Sequence, residues 1–397
     1  MLSRKWLSRC RPLVFTVLLG CSASDGAEPR APDEVVCPAT TLSTQAEVDA
    51  FHCHRVEGDL RVWGSPSIVD LTPLSELRTV TGELSLSRLS RLQSLRGLDS
   101  LSTTGGLYIG SLDQLRGVNG LGRLRHVEGD VKIISSERLE HLDGLNALRS
   151  VEGYFHLNAL RALRNVEGLG ALERVGGYFT LSVTRELSSL LGLNHLRAVG
   201  GDVLIHDNSK LQSLGGLAGL DSLGGGIGIA ENHALLSLRG LDPPHRVAHF
   251  SVSHNNGLQS LSGAESLEET TGKLRVVGNR SLREVGGLRG TRRVGGDLVV
   301  EQNYQLRSLD GLSEVEHVGG NLTIQSHPEL RDLGGLRALR FVGGDVAITY
   351  NRNLTNCTRG FGYLQSSGEV RGETLVKYNG TGGDCGDLTF EDSRLGY

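Results

Sequence analysis

The sequence is poor in the residues that large globular cores and catalytic centres use. Aromatic residues make up 5% of the 397 residues, and the chain holds one methionine and two tryptophans. The zinc-protease, α/β-hydrolase, P-loop and calcium-binding nonapeptide motifs are all absent, and the histidines are spread without the spacing of metal ligands. A net charge of −4, with both signs interspersed, excludes a strongly basic nucleic-acid-binding surface. These absences predict a protein without a catalytic site, a cofactor or a nucleic-acid partner.

What the sequence has instead is glycine and a repeat of about 24 residues. It contains 55 glycines, and neighbouring repeats begin 23 or 24 residues apart. The repeats begin at Gly58, Gly82, Gly105, Gly129, Gly153, Gly177, Gly201, Gly225, Ala248, Gly272, Gly296, Gly320 and Gly344. A repeat this short cannot bury its own apolar face, so the stacking of successive copies must create one continuous core.

Within a repeat, the spacing of apolar residues predicts strands and tight corners. With Gly201 as position 1, Val203 and Ile205 at positions 3 and 5 alternate with polar neighbours, as in a strand with one face inward. Positions 11, 14, 17, 20 and 23 are also apolar, but the glycines between them disfavour a helix. Position 16 is glycine in every full turn except the first, which a positive φ or a close approach of stacked turns would explain. The sequence therefore predicts an all-β solenoid of about 13 turns.

The N-terminal segment has the features of an export signal followed by a tether. A basic start precedes an apolar run that is too short to span a bilayer. The run ends in Leu-Leu-Gly-Cys, which resembles a bacterial lipobox and implies a lipid on Cys21; the alternative is an ordinary signal with an incidental cysteine. The Ser22-Ala23 that follows implies sorting to the outer membrane, on either its periplasmic or its surface face. We expect residues 1–20 to be a signal peptide and residues 21–36 a flexible tether.

Four cysteines remain for the exported repeat region: Cys37, Cys53, Cys357 and Cys385. In an exported protein they predict two disulfides, although the sequence alone allows three pairings. Local pairs would close an N-terminal cap at residues 37–57 and a C-terminal cap at residues 368–397, around a solenoid at residues 58–367. The alternative is a metal site with His52 and His54, which the lack of C-x-x-C spacing disfavours.

The pattern G-[DN]-[LV]-x-[IV]-x-x-N-x-x-L-x-S-L-x-G-L-x-x-L-x-x-V-G resembles the receptor L domain, the β-helical ligand-binding lobe of insulin- and EGF-receptor ectodomains. It is also similar to leucine-rich-repeat proteins. The similarity covers roughly residues 37 to 385. It implies a right-handed parallel β-helix and a role in binding. The chain departs from the receptors in having one uninterrupted array and no kinase, so receptor signalling is not implied.

Two recurring polar positions are interpreted as structural. Position 8 carries Asn208, Asn232, Asn255, Asn279, Asn303 and Asn351, with His327 in the same register and leucine in several earlier turns. Buried asparagines in leucine-rich repeats bond the backbone of successive turns, so the two halves of the array are predicted to differ at this corner. Position 2 carries Asp59, Asp130, Asp202, Asp297 and Asp345, which are predicted to be solvated and too far apart for catalysis.

One group of aromatic side chains occupies the outward strand positions 2 and 4, where a ligand would meet the sheet. The candidate ligand-binding residues are Tyr108, Tyr154, His156 and Tyr178, with Trp63 nearer the N-terminal cap. Exposed aromatic rings suit protein contact or stacking on sugars, and cross-strand packing is the alternative explanation.

These observations favour a non-catalytic, lipid-anchored protein of the bacterial envelope that binds a macromolecule or glycan, or serves in adhesion. One alternative is a carbohydrate-active enzyme of the β-helix type, which would need carboxylates gathered on one face. The other is a purely structural spacer that has no ligand.

Overall fold

The computed structural model describes residues 34–358, 360, 361, 364, 368–380 and 385. Over these residues the chain is an all-β parallel solenoid of about 14 turns, as the repeat predicts. The expected signal peptide and Cys21 lie outside the described residues. Within the described part of the chain, no helix is long and apolar enough to cross a bilayer.

Each turn contributes one longer strand to a continuous parallel sheet. Neighbouring strands pair with an offset of one repeat, so that Val203 lies beside Ile227 and Ile205 beside Ile229. The strands are Val36–Leu42, Arg55–Trp63, Thr79–Ser87, Thr103–Gly110, Val131–Ile134, Phe155–Asn158, Phe179–Ser182, Val203–His206, Ile227–Ala230, Phe250–Ser253, Leu274–Val277, Leu298–Glu301, Leu322–Gln325, Val346–Thr349 and Thr374–Lys377.

Two-residue strands precede the longer strands by a few residues and also pair between turns; the first five belong to the same sheet as the longer strands, and the other six form a second sheet. They are His126–Val127, Ser150–Val151, Arg174–Val175, Ala198–Val199, Ser222–Leu223, Arg246–Val247, Glu269–Thr270, Arg293–Val294, His317–Val318, Phe341–Val342 and Glu369–Val370. Helical structure is sparse, as the glycine content predicts. It includes the α-helix Gln45–Asp49 and the 3₁₀ turns Thr72–Leu74, Glu167–Leu169, Gly286–Leu288, Asp310–Leu312 and Gly334–Leu336.

The core is a column of aliphatic side chains at the predicted positions. Leu211, Leu214 and Leu217, at positions 11, 14 and 17, are fully buried, and each contributes about 1.5–3 kcal/mol by its removal from water. Both explanations of the position-16 glycine apply. Gly120 has a φ of +119°, and a Cβ on Gly311, which lies in a 3₁₀ turn, would overlap the Val285 carbonyl of the preceding turn.

Position 7 is a left-handed corner that the sequence pattern does not reveal. Arg88, Asp207 and Tyr350 have φ values of 56°, 58° and 60°, and most turns repeat this conformation. The corner ends the strand and directs position 8 into the interior, where Asn208 is fully buried. Glycine is not required at this corner, because residues of many types adopt the same conformation in successive turns.

Disulfides lie at both ends of the coil, and the local pairing is confirmed. Cys37 bonds Cys53 with a Cα–Cα distance of 5.9 Å, and Cys357 bonds Cys385 with a Cα–Cα distance of 4.9 Å. The strand Thr374–Lys377 pairs in register with Val346–Thr349, inside the segment expected to be a cap. The solenoid therefore continues about one turn beyond the 13 that the sequence predicts.

Candidate functional site

The outward face of the longer strands presents side chains in columns at positions 2, 4 and 6. Successive strands are about 4.8 Å apart, so residues at the same position in neighbouring turns contact each other. The candidate residues occupy this face on the third to the sixth turn. Tyr108 and His156 are at position 4, and Tyr154 and Tyr178 are at position 2.

Tyr154 and Tyr178 stack on each other along the position-2 column. Their ring centroids are 4.6 Å apart and the ring planes differ by 3°. The Nζ of Lys132 lies 4.7 Å from the centroid of the Tyr154 ring, a cation–π contact. Tyr154 therefore contacts a ring and a cation, whereas Tyr178 is 38% exposed and is the more accessible ring of the pair.

The charges around this stack are set by burial and by one hydrogen bond. A side-chain hydrogen bond with Tyr154 raises the pKa of Lys132, so the ammonium is retained at neutral pH. Burial lowers the pKa of His156, and repulsion from His206 and Lys132 lowers it further. The Nε2 atom of His156 is buried and has no hydrogen-bond partner among the described residues. The stack is thus bordered by a cation and by a neutral imidazole that has an unused polar atom.

The structure separates Tyr108 from the stacked pair. In the strand register Tyr108 lies beside Ser85 and Lys132, and a full turn stands between it and Tyr154. Tyr108 instead lines a surface depression of about 450 Å³, here called the Trp63 depression. Its lining is Arg61, Trp63, Glu83, Ser85, Ser87, Arg88, Tyr108 and Ser111.

The Trp63 depression combines aromatic walls with charged and hydroxyl groups. Trp63 is 49% exposed, and the Arg88 guanidinium lies 5.9 Å from its ring centroid. Arg61 forms an ion pair with Asp59, at 2.8 Å between Nη2 and Oδ2. Burial raises the pKa of Glu83, and the nearby Lys132 partly opposes this shift. The arrangement can offer ring surfaces together with hydrogen-bond donors and acceptors.

The position-2 aspartates are more than solvated residues, which corrects that part of the sequence interpretation. Asp59 Oδ1 accepts from the Glu83 amide at 2.9 Å, and Asp202 Oδ1 accepts from the Gly226 amide at 2.8 Å. Asp297 accepts in the same way from the Asn321 amide, and this bond lowers the pKa of Asp297. These carboxylates link successive turns and form no catalytic pair.

No metal site emerges from the described residues, which contain no group of three or more His, Cys, Asp or Glu side chains placed to hold an ion. Cys53 is in its disulfide, and His54 Nδ1 accepts from the Val35 amide at 3.0 Å. The depression that Trp63 and Tyr108 both line is the feature that sequence reasoning missed. The two residues occupy outward positions two turns apart, and the small Ser85 and Ser87 of the turn between them leave the depression open.

No protein-family model matches the sequence, and no curated protein sequence matches it. Solved structures with a similar course of the chain include TLR13 in its complex with ssRNA13, at 15% identity and a TM-score of 0.25 over 78% of this chain. A leucine-rich repeat protein from Bacteroides ovatus aligns at 12% identity and a TM-score of 0.25, over 89% of this chain and 86% of its own. The mouse RP105/MD-1 complex aligns at 15% identity and a TM-score of 0.21, over 87% of this chain and 68% of its own. The alignment covers 60% of the TLR13 chain.

Proposed function

We propose that this protein is a lipid-anchored, non-catalytic binding protein of the bacterial envelope. It is a leucine-rich-repeat-like parallel β-solenoid, a fold that suits a binding or scaffold role. Its ligand is a glycan or another macromolecule, bound on the outward face of the longer strands, and adhesion is one use of such binding. The anchor is proposed from the lipobox-like sequence that ends at Cys21.

The observation that carries the binding proposal is the Trp63 depression. A half-exposed tryptophan and a tyrosine stand on an open sheet face beside Ser85 and Ser87, with Arg61 and Arg88 at the rim. Tryptophan, tyrosine and arginine dominate the energetics of binding surfaces because they combine a large contact area with hydrogen-bonding groups. A sugar unit presents the matching combination of an apolar ring face and hydroxyl groups.

The neighbouring stack extends the same surface toward the sixth turn. Tyr178 offers an exposed ring and Lys132 a cation, and His156 lies at position 4 between them and the rest of the sheet face. The predicted residues Tyr108, Tyr154, His156 and Tyr178 therefore belong to the proposed surface, with Trp63 and Arg88 added to it.

The binding surface is tested by removing its rings. We first screen the purified full chain on glycan arrays and on envelope-protein preparations to obtain a ligand. The double variant Trp63→Ala with Tyr108→Ala should then weaken binding at least tenfold. The matched control is Tyr350→Ala with Tyr378→Ala, because these exposed rings also stack, at 4.8 Å, but lie at position 7 near the C-terminal end. Equal loss in both variants would contradict the proposed site.

One further variant separates binding from hydrolysis. Glu83 is the acid of the depression whose pKa burial raises, so a hydrolase would depend on it. Glu83→Gln should leave ligand binding within about threefold of wild type, and the wild-type protein should release no reducing ends from a bound glycan. Glycan cleavage that disappears in Glu83→Gln would establish the enzyme alternative instead.

The anchor is tested separately with Cys21→Ser. The variant should incorporate no labelled palmitate and should leave the membrane fraction, because the acyl chains attach at this cysteine. Palmitate incorporation at the wild-type level in Cys21→Ser would refute the lipobox assignment and would leave the binding proposal standing.

A further inference from the structure

A second depression lies on the same outward face, on the ninth and tenth turns. It has a volume of about 610 Å³ and is here called the Lys273 depression. Its lining is Ala248, His249, Phe250, Ser251, Ser253, His254, Gly272, Lys273, Arg275 and Val277. No predicted site residue belongs to it.

Small side chains on two adjacent strands create the depression. Ser251 and Ser253 point outward from the ninth turn, and in the register they lie beside Gly228 and Ala230 of the eighth turn. The next strand presents Arg275 beside Ser251. The result is a shallow trough two strands wide, with serine hydroxyls on its floor and a long cationic side chain on its flank.

The imidazoles and the lysine around the trough are held in place by their neighbours. The His249 ring lies over Gly226, where a Cβ would overlap it, and its Nε2 is 3.8 Å from Asp202 Oδ1. Lys273 Nζ is 3.1 Å from Asp297 Oδ2. Asp202 and Asp297, which lie outside the lining, therefore help to fix the positions of His249 and Lys273.

The lining itself contains bases and hydroxyl groups but no carboxylate. Lys273 and Arg275 are exposed cations, and Arg275 forms no ion pair with a described residue within 4.0 Å. His249 and His254 add ring N–H donors, and Ser251 and Ser253 add hydroxyls. Arg275 without an ion-pair partner among the described residues, beside a Lys273 whose one carboxylate partner, Asp297, lies outside the lining, favours a ligand carboxylate, through charge-assisted hydrogen bonds.

We propose that the Lys273 depression binds a carboxylate-bearing polysaccharide, whose acidic groups meet Lys273 and Arg275 and whose hydroxyls meet Ser251 and Ser253. The Phe250 ring is fully buried, so the trough has no exposed Phe, Tyr or Trp ring of the kind on which the bases of single-stranded nucleic acid stack. It also lacks exposed apolar side chains that would enter a lipid surface. The proposal deepens the binding role proposed above by naming an acidic class of glycan.

The test measures binding of polygalacturonate to the full chain at low and at physiological salt. Wild-type protein should bind, and Lys273→Gln with Arg275→Gln should weaken binding at least tenfold. The matched control is Arg283→Gln with Arg307→Gln, which removes the same charge from exposed arginines at position 12 of the tenth and eleventh turns. The control should stay within twofold of wild type, and both variants should keep the wild-type thermal midpoint.

Further ligands separate the possible failures. Single-stranded DNA, phosphatidylglycerol vesicles and neutral dextran should bind at least tenfold more weakly than polygalacturonate. Equal binding of DNA or vesicles, or equal loss in the control variant, would overturn the proposal in favour of a general polyanion surface. Binding of a neutral glycan that depends on Trp63 and Tyr108, without any binding of polygalacturonate, would overturn this inference alone. If no glycan or envelope protein binds at all, the function proposed above fails together with it.

Discussion

The two halves of the solenoid share one outer face but build different interior corners at position 8. In the earlier turns this position is occupied by Leu89, Leu112, Ser136, Leu160 and Thr184, and in the later turns by asparagine or by His327. All of these side chains are fully buried. The same backbone corner therefore accepts either an apolar side chain or a polar one that is fully hydrogen bonded.

In the later half the asparagines from Asn208 to Asn303 form a continuous ladder. Asn255 Oδ1 accepts from the Asn232 amide at 2.9 Å, and its Nδ2 donates to the Ile229 carbonyl at 3.0 Å. The same Nδ2 lies 3.3 Å from Asn279 Oδ1 in the following turn. Each asparagine thus satisfies backbone groups of the preceding turn, as expected for a buried amide.

In the earlier half, leucine cannot make these bonds and contributes apolar contact instead. Hydroxyl groups supply part of the missing function: the Leu112 amide donates to Ser136 Oγ at 3.3 Å, and Thr184 Oγ1 donates to Asn208 Oδ1 at 2.7 Å. The comparison teaches that the corner is a property of the backbone, while the side chain decides whether successive turns are coupled by hydrogen bonds or by packing.

The largest effect on stability should come from breaking the ladder in its middle. Asn255→Leu leaves the Asn232 amide buried without a partner, at about 1–3 kcal/mol, and removes the side-chain hydrogen bond to the Ile229 carbonyl, at about 0.5–1.5 kcal/mol. We expect the free energy of unfolding to fall by about 1.5–4.5 kcal/mol in a urea titration.

The matched control in the earlier half is Leu160→Met, a nearly volume-conserving change at the same position. It should lower the free energy of unfolding by less than about 1.5 kcal/mol, because it leaves no polar group without a hydrogen-bond partner. Equal losses in the two variants would show that the ladder bonds add nothing beyond the filling of space.

The second prediction concerns His327, which occupies position 8 where the neighbouring turns have asparagine. His327 Nδ1 lies 3.2 Å from the Asn303 carbonyl and Nε2 lies 3.0 Å from the Val300 carbonyl, yet a neutral ring can donate to only one of them. Burial lowers the pKa of His327 to about 4, against the opposing effect of these carbonyls. His327→Asn replaces the ring with the amide that the neighbouring turns use.

The sign of the pH effect follows from the lowered pKa. Between pH 6.5 and about 4 the unfolded chain binds a proton on His327 that the folded protein excludes, so wild-type stability falls as the pH falls through this window. The full loss is on the order of 3 kcal/mol. His327→Asn should lack this part of the pH dependence in urea titrations at pH 7, 5.5 and 4.5. Parallel pH profiles for the two proteins would contradict a buried, neutral His327.

The repeat predicts the solenoid and its inward positions because these features depend on neighbours one turn away at a fixed offset. The register places Tyr154 beside Tyr178 in the same way. It does not predict that Trp63 and Tyr108 share a depression, since this depends on Ser85 and Ser87 being small, nor the left-handed corner at Asp207. A depression that exists because two neighbouring side chains are small leaves no periodic signal in the sequence.

The smallest expected effect, and the sharpest test of the aromatic surface, comes from Tyr154→Ala with Tyr178→Ala. A stacked cross-strand pair contributes at most about 1 kcal/mol to stability, so the thermal midpoint should change little. Ligand binding should weaken about tenfold, equivalent to about 1.4 kcal/mol, because the variant removes the exposed Tyr178 ring and releases Lys132 from Tyr154. Binding at the wild-type level would show that the stack only stabilises the sheet and that the ligand contacts the Trp63 depression alone. A lower thermal midpoint with little loss of binding would show that the pair stabilises the sheet by cross-strand packing and does not contact the ligand.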